Sequence, residues 1–155
     1  RYEGFGPFNV AFIIESLTNN TNRTSSSIRT TLQKSGGRLG ESGSTKHLFF
    51  SCGVIKISKD KISDEKIFEI SIDAGAKDCF SSTNFHEIVC EKESFYKVKS
   101  DVEKKIDEFL YSGIEWRPFN KLYISAEQGE KINQILESFD DNDDVQNVFS
   151  NFVIK

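Results

Sequence analysis

The run NVAFIIESL at residues 9–17 decides how this 155-residue chain begins to fold. It is apolar and contains β-branched residues. Turn-forming pairs bound it, with Gly6-Pro7 before it and Asn19-Asn20 after it. An apolar run between turn signals is typical of a buried strand. We therefore predict a core strand over these residues.

The next segment predicts a helix and a second strand. Thr21 or Asn22 can cap a helix that extends to about Ser35, because apolar residues spaced four apart would face inward. Gly36-Gly37 ends this helix. A strand is expected over residues 44–51, so the chain opens as β-α-β.

Residues 52–119 predict a complete β-α-β-β-α-β unit. It starts with a strand over Val54–Ile57 and a helix closed by Gly75, and two short strands follow. A second helix carries inward-facing apolar residues from Val98 to Phe109, and residues 114–119 can form the last strand.

Residues 120–155 supply only β-α-β, which has no partner of its own. Joined to residues 1–51, they give a second split-βαβ arrangement. We predict the α+β class with two ferredoxin-like split-βαβ sandwiches, one inserted into the other. The outer domain is expected to comprise residues 1–51 and 120–155, and the inserted domain residues 52–119.

Composition bears on the compartment. The longest apolar run, Val10–Ile14, is far shorter than the roughly 18 to 20 residues that a membrane span needs. Three cysteines without paired short spacings fit a reducing compartment. We expect a soluble, cytoplasmic protein with no membrane partner. Since the chain contains no Met, we expect a fragment, and an organelle-targeting peptide could have preceded it.

Charge is unevenly distributed along the chain. The net charge is −4, yet residues 1–50 carry six basic and three acidic groups, a net +3. Residues 51–119 have a net charge of −3 and residues 120–155 one of −4. An anionic partner would therefore prefer the first third, because affinity for phosphates depends on local Lys and Arg.

The sequence offers no catalytic or metal-binding constellation. The acidic run Asp140–Asp144 lacks the glycine and the distal glutamate of an EF-hand loop. His86 and Cys90 would lie about 13 Å apart on a strand, given a rise of ~3.3 Å per residue. Gly4-Phe5-Gly6 precedes a strand, whereas a dinucleotide-binding fingerprint follows one. We expect no cofactor, no metal, no small-molecule substrate and no enzymatic activity.

The basic residues of the first third are the candidate site. They lie on or beside the predicted helix and two glycine-rich turns, where phosphate oxygens can be bound by backbone N–H groups and by Arg. Ordinary surface charges on a solvated helix are the competing interpretation. The predicted nucleic-acid-binding residues are Arg23, Arg29, Lys34, Arg38 and Lys46.

Five motifs resemble one family in order and over nearly the whole chain. We identify the sequence as similar to the YebC/PmpR family of probable transcriptional regulators, which includes the mitochondrial translational activator of cytochrome c oxidase. The motifs are YEGFGP at residues 2–7, NNTNRT at 19–24, GGRLGESGS at 36–44, DAGAKD at 73–78 and DDVQNVFSN at 143–151.

The resemblance implies a three-domain, non-enzymatic protein whose N-terminal helical domain would precede Arg1. The outer domain would be family domain two and the inserted domain family domain three. The chain departs from the family pattern in three places. The usual Gly-Gly after Pro7 is Phe8-Asn9, a usual Arg is Thr21, and a usual Val-Ala is Thr45-Lys46.

Two functions follow as hypotheses. The first is a nucleic-acid-associated regulator of gene expression that binds DNA through phosphate contacts. The alternative is a translation factor or activator that associates with ribosomal RNA or the ribosome. In that case these domains would serve as a protein-interaction module, because the acidic segments favour ribosomal or other basic proteins.

Overall fold

The computed structural model describes residues 1–155, which form two compact units. Residues 1–50 and 116–155 make the outer unit, and residues 51–115 make the inserted unit. No helix in the chain has the length and apolar character needed to cross a membrane. The strands are β1 (Tyr2–Phe5), β2 (Ala11–Ser16), β3 (Arg38–Leu39), β4 (Phe49–Ser58), β5 (Asp78–Ser81), β6 (Phe85–Glu91), β7 (Tyr111–Pro118), β8 (Leu122–Ile124), β9 (Val145–Ser150) and β10 (Phe152–Ile154). The helices are α1 (Thr21–Lys34), α2 (Asp64–Ala74), α3 (Phe95–Glu103) and α4 (Ala126–Asp140).

The outer unit is built on a four-stranded sheet in the order β3-β1-β2-β9. Strand β2 pairs antiparallel with β1 and β9, as expected of a central strand. Alternate residues of β2 face opposite sides. One side packs against α1 and α4, and the other packs against Phe49. The main core of this unit contains Val10, Phe12, Ile14, Ile28, Leu32, Ile124, Ile132, Ile135 and Phe139.

The final strand predicted for the outer unit is split in two. Asn151 separates β9 from β10, and its side-chain oxygen accepts a hydrogen bond from the Ala11 N–H at 3.0 Å. Strand β10 then leaves the main sheet and pairs in parallel with β8 as a separate two-stranded sheet. The strand is therefore interrupted at Asn151, because its side-chain oxygen, and not a backbone carbonyl, accepts the hydrogen bond from the Ala11 N–H.

The inserted unit has the sheet order β5-β6-β4-β7. Numbered within the unit, this order is 2-3-1-4, which is the strand order of the split-βαβ ferredoxin-like fold. Helices α2 and α3 share one core with β4 and β6, made of Ile55, Ile57, Ile67, Ala74, Ile88, Cys90, Phe95, Val98, Val102 and Ile106. The predicted α+β class, with one unit inserted into the other, is confirmed.

Several predicted element bounds were wrong. Residues 44–48 are not a strand, because the N–H groups of Thr45 and Lys46 bond to the Glu3 carboxylate instead of a strand partner. Helix α3 ends at Glu103, although Ile106 beyond it is still buried. The N-cap of α1 is Asn20, whose side chain accepts a hydrogen bond from the Arg23 N–H.

The two units divide within strands. The divisions fall between residues 50 and 51, inside β4, and between residues 115 and 116, inside β7. Each of these strands therefore contributes residues to both units.

Candidate nucleic-acid interface

A buried carboxylate organises the glycine-rich segment of the outer unit. Glu3 is 2% exposed, and its oxygens accept hydrogen bonds from the N–H groups of Gly43 at 2.8 Å, Thr45 at 3.0 Å and Lys46 at 2.6 Å. The Thr45 hydroxyl donates another at 3.2 Å. Burial raises the pKa of Glu3, but these hydrogen bonds outweigh burial and hold the pKa below its ordinary value. The first and third family motifs are thus joined through one side chain.

Two glycines allow these motifs to touch through their backbones. A Cβ added at Gly37 would overlap the Phe5 carbonyl oxygen. A Cβ added at Gly4 would lie 2.7 Å from the Arg38 carbonyl oxygen. Only glycine fits where two backbones approach this closely, so β1 and the segment around β3 form one compact platform.

Arg23 is already held by a carboxylate. Its Nε lies 3.0 Å and its Nη2 2.7 Å from the two oxygens of Asp144. The Thr24 hydroxyl donates to the same carboxylate at 2.9 Å. Hydrogen bonds from Arg23 and Thr24 hold the pKa of Asp144 below its usual value, and Asp144 raises the pKa of Arg23. The guanidinium edge that would meet a phosphate is therefore occupied by the acidic segment of the chain.

The other four predicted residues are exposed. Arg29 and Lys34 lie on α1, the latter in its last turn. The Arg38 guanidinium lies over the Phe5 ring, 4.9 Å from its centroid. Lys46 follows the Glu3-bound loop, and its ammonium lies 6.0 Å from the centroid of Trp116.

Sequence reasoning missed two basic residues beside these four. Arg1 also lies over Trp116, with its guanidinium carbon 5.3 Å from the ring centroid. Lys131 on α4 lies across a cleft from Lys34. Lys131 belongs to a segment with net negative charge, so only the packing of α4 against α1 could reveal it.

The cleft between α1 and α4 has a volume of about 370 Å³ and a cationic lining. None of its lining residues is acidic, although α4 carries several Glu residues. The lining consists of Pro7, Lys34, Ser35, Lys131, Gln134, Ile135 and Ser138. Two ammonium groups without a carboxylate make this cleft suitable for an anion.

The turn between β1 and β2 has an unusual backbone. Phe8 and Asn9 both have a φ of 63°, in the left-handed region. An aromatic residue rarely adopts this region, because its Cβ crowds the following carbonyl. These are the two positions at which the family resemblance implies Gly-Gly. The Phe8 side chain is 37% exposed, and the Lys131 ammonium lies 5.8 Å from its ring centroid.

The remaining reactive side chains have structural partners. His86 is buried, with its ring nitrogens 2.7 Å from the Ser81 hydroxyl and 2.8 Å from the Ile62 carbonyl oxygen. None of the three cysteines forms a disulfide, and burial raises the pKa of the Cys79 and Cys90 thiols. These two thiols are neutral at pH 7.

Comparison with known proteins identifies the family. The sequence model described as the second and third domain of TACO1/YebC matches residues 1–152. The chain belongs to the TACO1/YebC family. The resemblance inferred from the five motifs is therefore confirmed.

Two relatives illustrate this family membership. The chain is 48% identical over its full length to a probable transcriptional regulatory protein of Pelagibacter ubique (strain HTCC1062). It is 35% identical to a conserved hypothetical protein, Aq1575, from Aquifex aeolicus, whose crystal structure matches 99% of the chain with a TM-score of 0.89. The chain spans 64% of the length of each relative.

Proposed function

We propose that this chain is part of a non-enzymatic, cytoplasmic regulator of gene expression that binds DNA through the phosphate backbone. The observation that carries the proposal is a set of exposed cations on the outer unit, none of which forms an ion pair. The proposed contacts are Arg29, Lys34, Arg38 and Lys46. The name of the Pelagibacter relative supports a regulatory role.

Arg23 has a different part in this proposal. Its two N–H groups on Asp144 hold the start of α1 against the turn that precedes β9. A phosphate would have to displace a carboxylate that also accepts from Thr24. We therefore propose that Arg23 positions α1 and that the other four residues contact the nucleic acid.

The test is a salt titration of binding to a fluorescent DNA duplex. The variant replaces Arg29, Lys34 and Arg38 with Gln. The control replaces Lys66, Lys77 and Lys92 of the inserted unit with Gln, which removes the same charge. Because each phosphate contact contributes about −0.9 to the slope of log K against log salt, we expect the first variant to lower the magnitude of that slope by roughly two to three. An equal loss in both variants would contradict the proposal, since net charge alone would explain it.

A second candidate is action on translation, through ribosomal RNA or a basic ribosomal protein. The inserted unit favours it, with ten basic and fourteen acidic residues. Helix α2 exposes Phe68 and Ile72, at 52% and 53%, on the same helix as Glu65 and Glu69. An apolar strip with acidic neighbours fits a basic, partly apolar protein surface.

Nuclease treatment separates the two candidates. Capture of ribosomal proteins by the tagged chain after nuclease digestion, and its loss in a Phe68→Ala/Ile72→Ala variant, would favour the translation candidate. Capture that disappears with nuclease and is insensitive to these substitutions would favour direct nucleic-acid binding.

A further inference from the structure

The turn between β1 and β2, called the Phe8 turn below, places the Phe8 ring at the solvent surface. The backbone of Phe8 has an unfavourable conformation. Most large apolar side chains of β1, β2 and the α1 face are packed in the cores, whereas Phe8 is 37% exposed. Glycine at this position would avoid the steric conflict of a φ of 63°. Strained residues of this kind cluster at ligand-binding positions, so the ring itself requires an explanation.

The ring adjoins the cationic cleft. Lys131 lies over Phe8 and also lines the cleft, and Pro7, next to Phe8 in sequence, lines it as well. The cleft volume of about 370 Å³ falls within the range of roughly 300 to 1,000 Å³ typical of small-ligand sites. The ring and the two lysines therefore form one continuous surface.

This surface continues toward Arg38. A Cβ at Gly36 would lie 4.0 Å from Pro7, and Gly37 touches the backbone of Phe5, whose ring lies under Arg38. Two aromatic rings, each accompanied by a cation, are thus joined through the platform formed by the first and third motifs. Alternating cations and aromatic rings are the pattern by which proteins hold single-stranded nucleic acid.

We propose that the Phe8 turn and the adjoining cleft bind an unpaired nucleotide, with its base stacked on Phe8 and its flanking phosphates held by Lys34 and Lys131. This rests on the proposed nucleic-acid function and specifies the form of nucleic acid. A base inside a duplex is stacked on both faces, so it cannot reach Phe8 unless it leaves the stack. The site thus favours single-stranded segments, loops or melted DNA.

The experiment compares four labelled probes by fluorescence anisotropy with the 155-residue chain. These are a single strand of about 12 nucleotides as DNA and as RNA, the same DNA strand with abasic central positions, and the matching duplex. The variants are Phe8→Gly, Phe8→Trp and Lys131→Gln, with Tyr96→Ala as a control. Tyr96 is a 78% exposed aromatic residue of the inserted unit. Phe8→Gly removes the ring and the steric conflict together, and its urea unfolding midpoint, measured beside wild type, separates loss of the ring from loss of folding.

We expect Phe8→Gly to weaken single-strand binding by about tenfold, because the stacking of one base on an aromatic residue is of that order. Duplex and abasic-strand affinities should be unchanged in Phe8→Gly, and Phe8→Trp should retain binding to the single strand. Lys131→Gln should weaken single-strand binding and lower the magnitude of the single-strand salt slope by about 0.7. Tyr96→Ala should behave as wild type.

The contrary outcomes are distinct. If Phe8→Gly binds the single strand as tightly as wild type while the duplex still binds with a clear salt slope, the stacking site is refuted and the phosphate surface stands. If wild type binds none of the probes at low salt, both this inference and the proposed function fail. If the abasic strand binds wild type as tightly as the intact strand, the base is not recognised and the inference is overturned.

Discussion

Glu3 shows how one residue can account for a sequence motif. Its carboxylate accepts four hydrogen bonds from the segment 43–46 while the residue is almost fully buried. Arg1 approaches the same carboxylate at 3.8 Å. A buried charge is tolerated only when its hydrogen-bonding capacity is satisfied. The loop that carries Lys46 therefore depends on a residue about forty positions away in sequence.

Replacing Glu3 with Gln should destabilise the outer unit. The amide group would direct N–H donors at backbone donors, leaving buried groups unsatisfied, at a cost of about 2 to 3 kcal/mol. Urea unfolding at pH 7 measures the change. Glu41→Gln is the control, because Glu41 is exposed in the same segment and should have no effect on the free energy of unfolding. A Glu3→Gln variant as stable as wild type would show that the carboxylate is not required for this loop.

Asp144 gives a second prediction at the scale of a residue. Asp144→Asn keeps an oxygen to accept from Thr24 but removes the charge that holds Arg23. We expect this variant to free the guanidinium and to increase the magnitude of the duplex salt slope by about one contact, or ~0.9. Arg23→Gln should leave the slope unchanged. A loss of slope in Arg23→Gln would instead place Arg23 among the phosphate contacts.

The β1–β2 turn illustrates strain at the scale of an element. Glycine is normally less stabilising than alanine in an ordered segment, because it loses more backbone freedom on folding. At Phe8 the φ of 63° should reverse that order. We expect Phe8→Gly to be more stable than Phe8→Ala by about 1 kcal/mol, since both lose the ring and only glycine avoids the left-handed penalty. Urea unfolding of the two variants measures this difference.

Asn9 provides the matched comparison for this prediction. It has the same φ as Phe8, so alanine at this position would also incur the left-handed penalty that glycine avoids. The difference between Asn9→Gly and Asn9→Ala should therefore have the same sign. If alanine is as stable as glycine at both positions, the turn is not strained.

Elements with local signals could be predicted from the sequence, and elements set by distant partners could not. Strand β2 and helices α1, α2 and α4 were predicted because apolar periodicity and turn residues mark them locally. The true start of β4 was missed because Glu3 takes the N–H groups of the preceding residues. The division between β9 and β10 was missed because Asn151 binds the backbone of Ala11, which lies 140 positions away in sequence.

The candidate site follows the same rule. Arg29, Lys34, Arg38 and Lys46 were found as a basic stretch, and all four are exposed. Arg23 forms an ion pair with Asp144, and no local signal in the sequence indicates that pairing. Lys131 was missed because α4 is an acidic segment whose single lysine joins the cleft only after packing.

The outer unit combines segments of opposite net charge. Residues 1–50 carry a net +3, but residues 116–155 in the same unit carry four basic and seven acidic groups, so the outer unit has no net charge. The inserted unit carries the net −4 of the chain. The proposed binding of nucleic acid therefore depends on a local basic patch, because neither unit has a positive net charge.

The distribution of carboxylates with lowered pKa predicts how stability varies with pH. In the outer unit these are Glu3 and Asp144, and in the inserted unit they are Asp64, held by Lys59, and Asp101, held by Lys97. A carboxyl whose pKa is lower in the folded state stabilises the protein above its unfolded pKa, which is about 4. That contribution is lost as pH falls through the folded value. We expect the free energy of unfolding to be constant from about pH 6 to 8 and to decline below about pH 4.

Glu3→Gln tests this dependence directly, because the amide does not titrate. The variant should be less stable than wild type at pH 7, and the gap should narrow as the pH falls from about 4 to 2, since protonation removes the same charge from the wild-type protein. Urea unfolding midpoints at half-unit pH intervals, with Glu41→Gln as the control, measure the two profiles. The loss of stability at low pH that remains in Glu3→Gln comes from protonation of Asp144, Asp64 and Asp101. If the free energies of unfolding of the variant and wild type decline in parallel over this range, the pKa of Glu3 is not lowered in the folded protein. The hydrogen bonds from its loop would then not stabilise the ionised carboxylate.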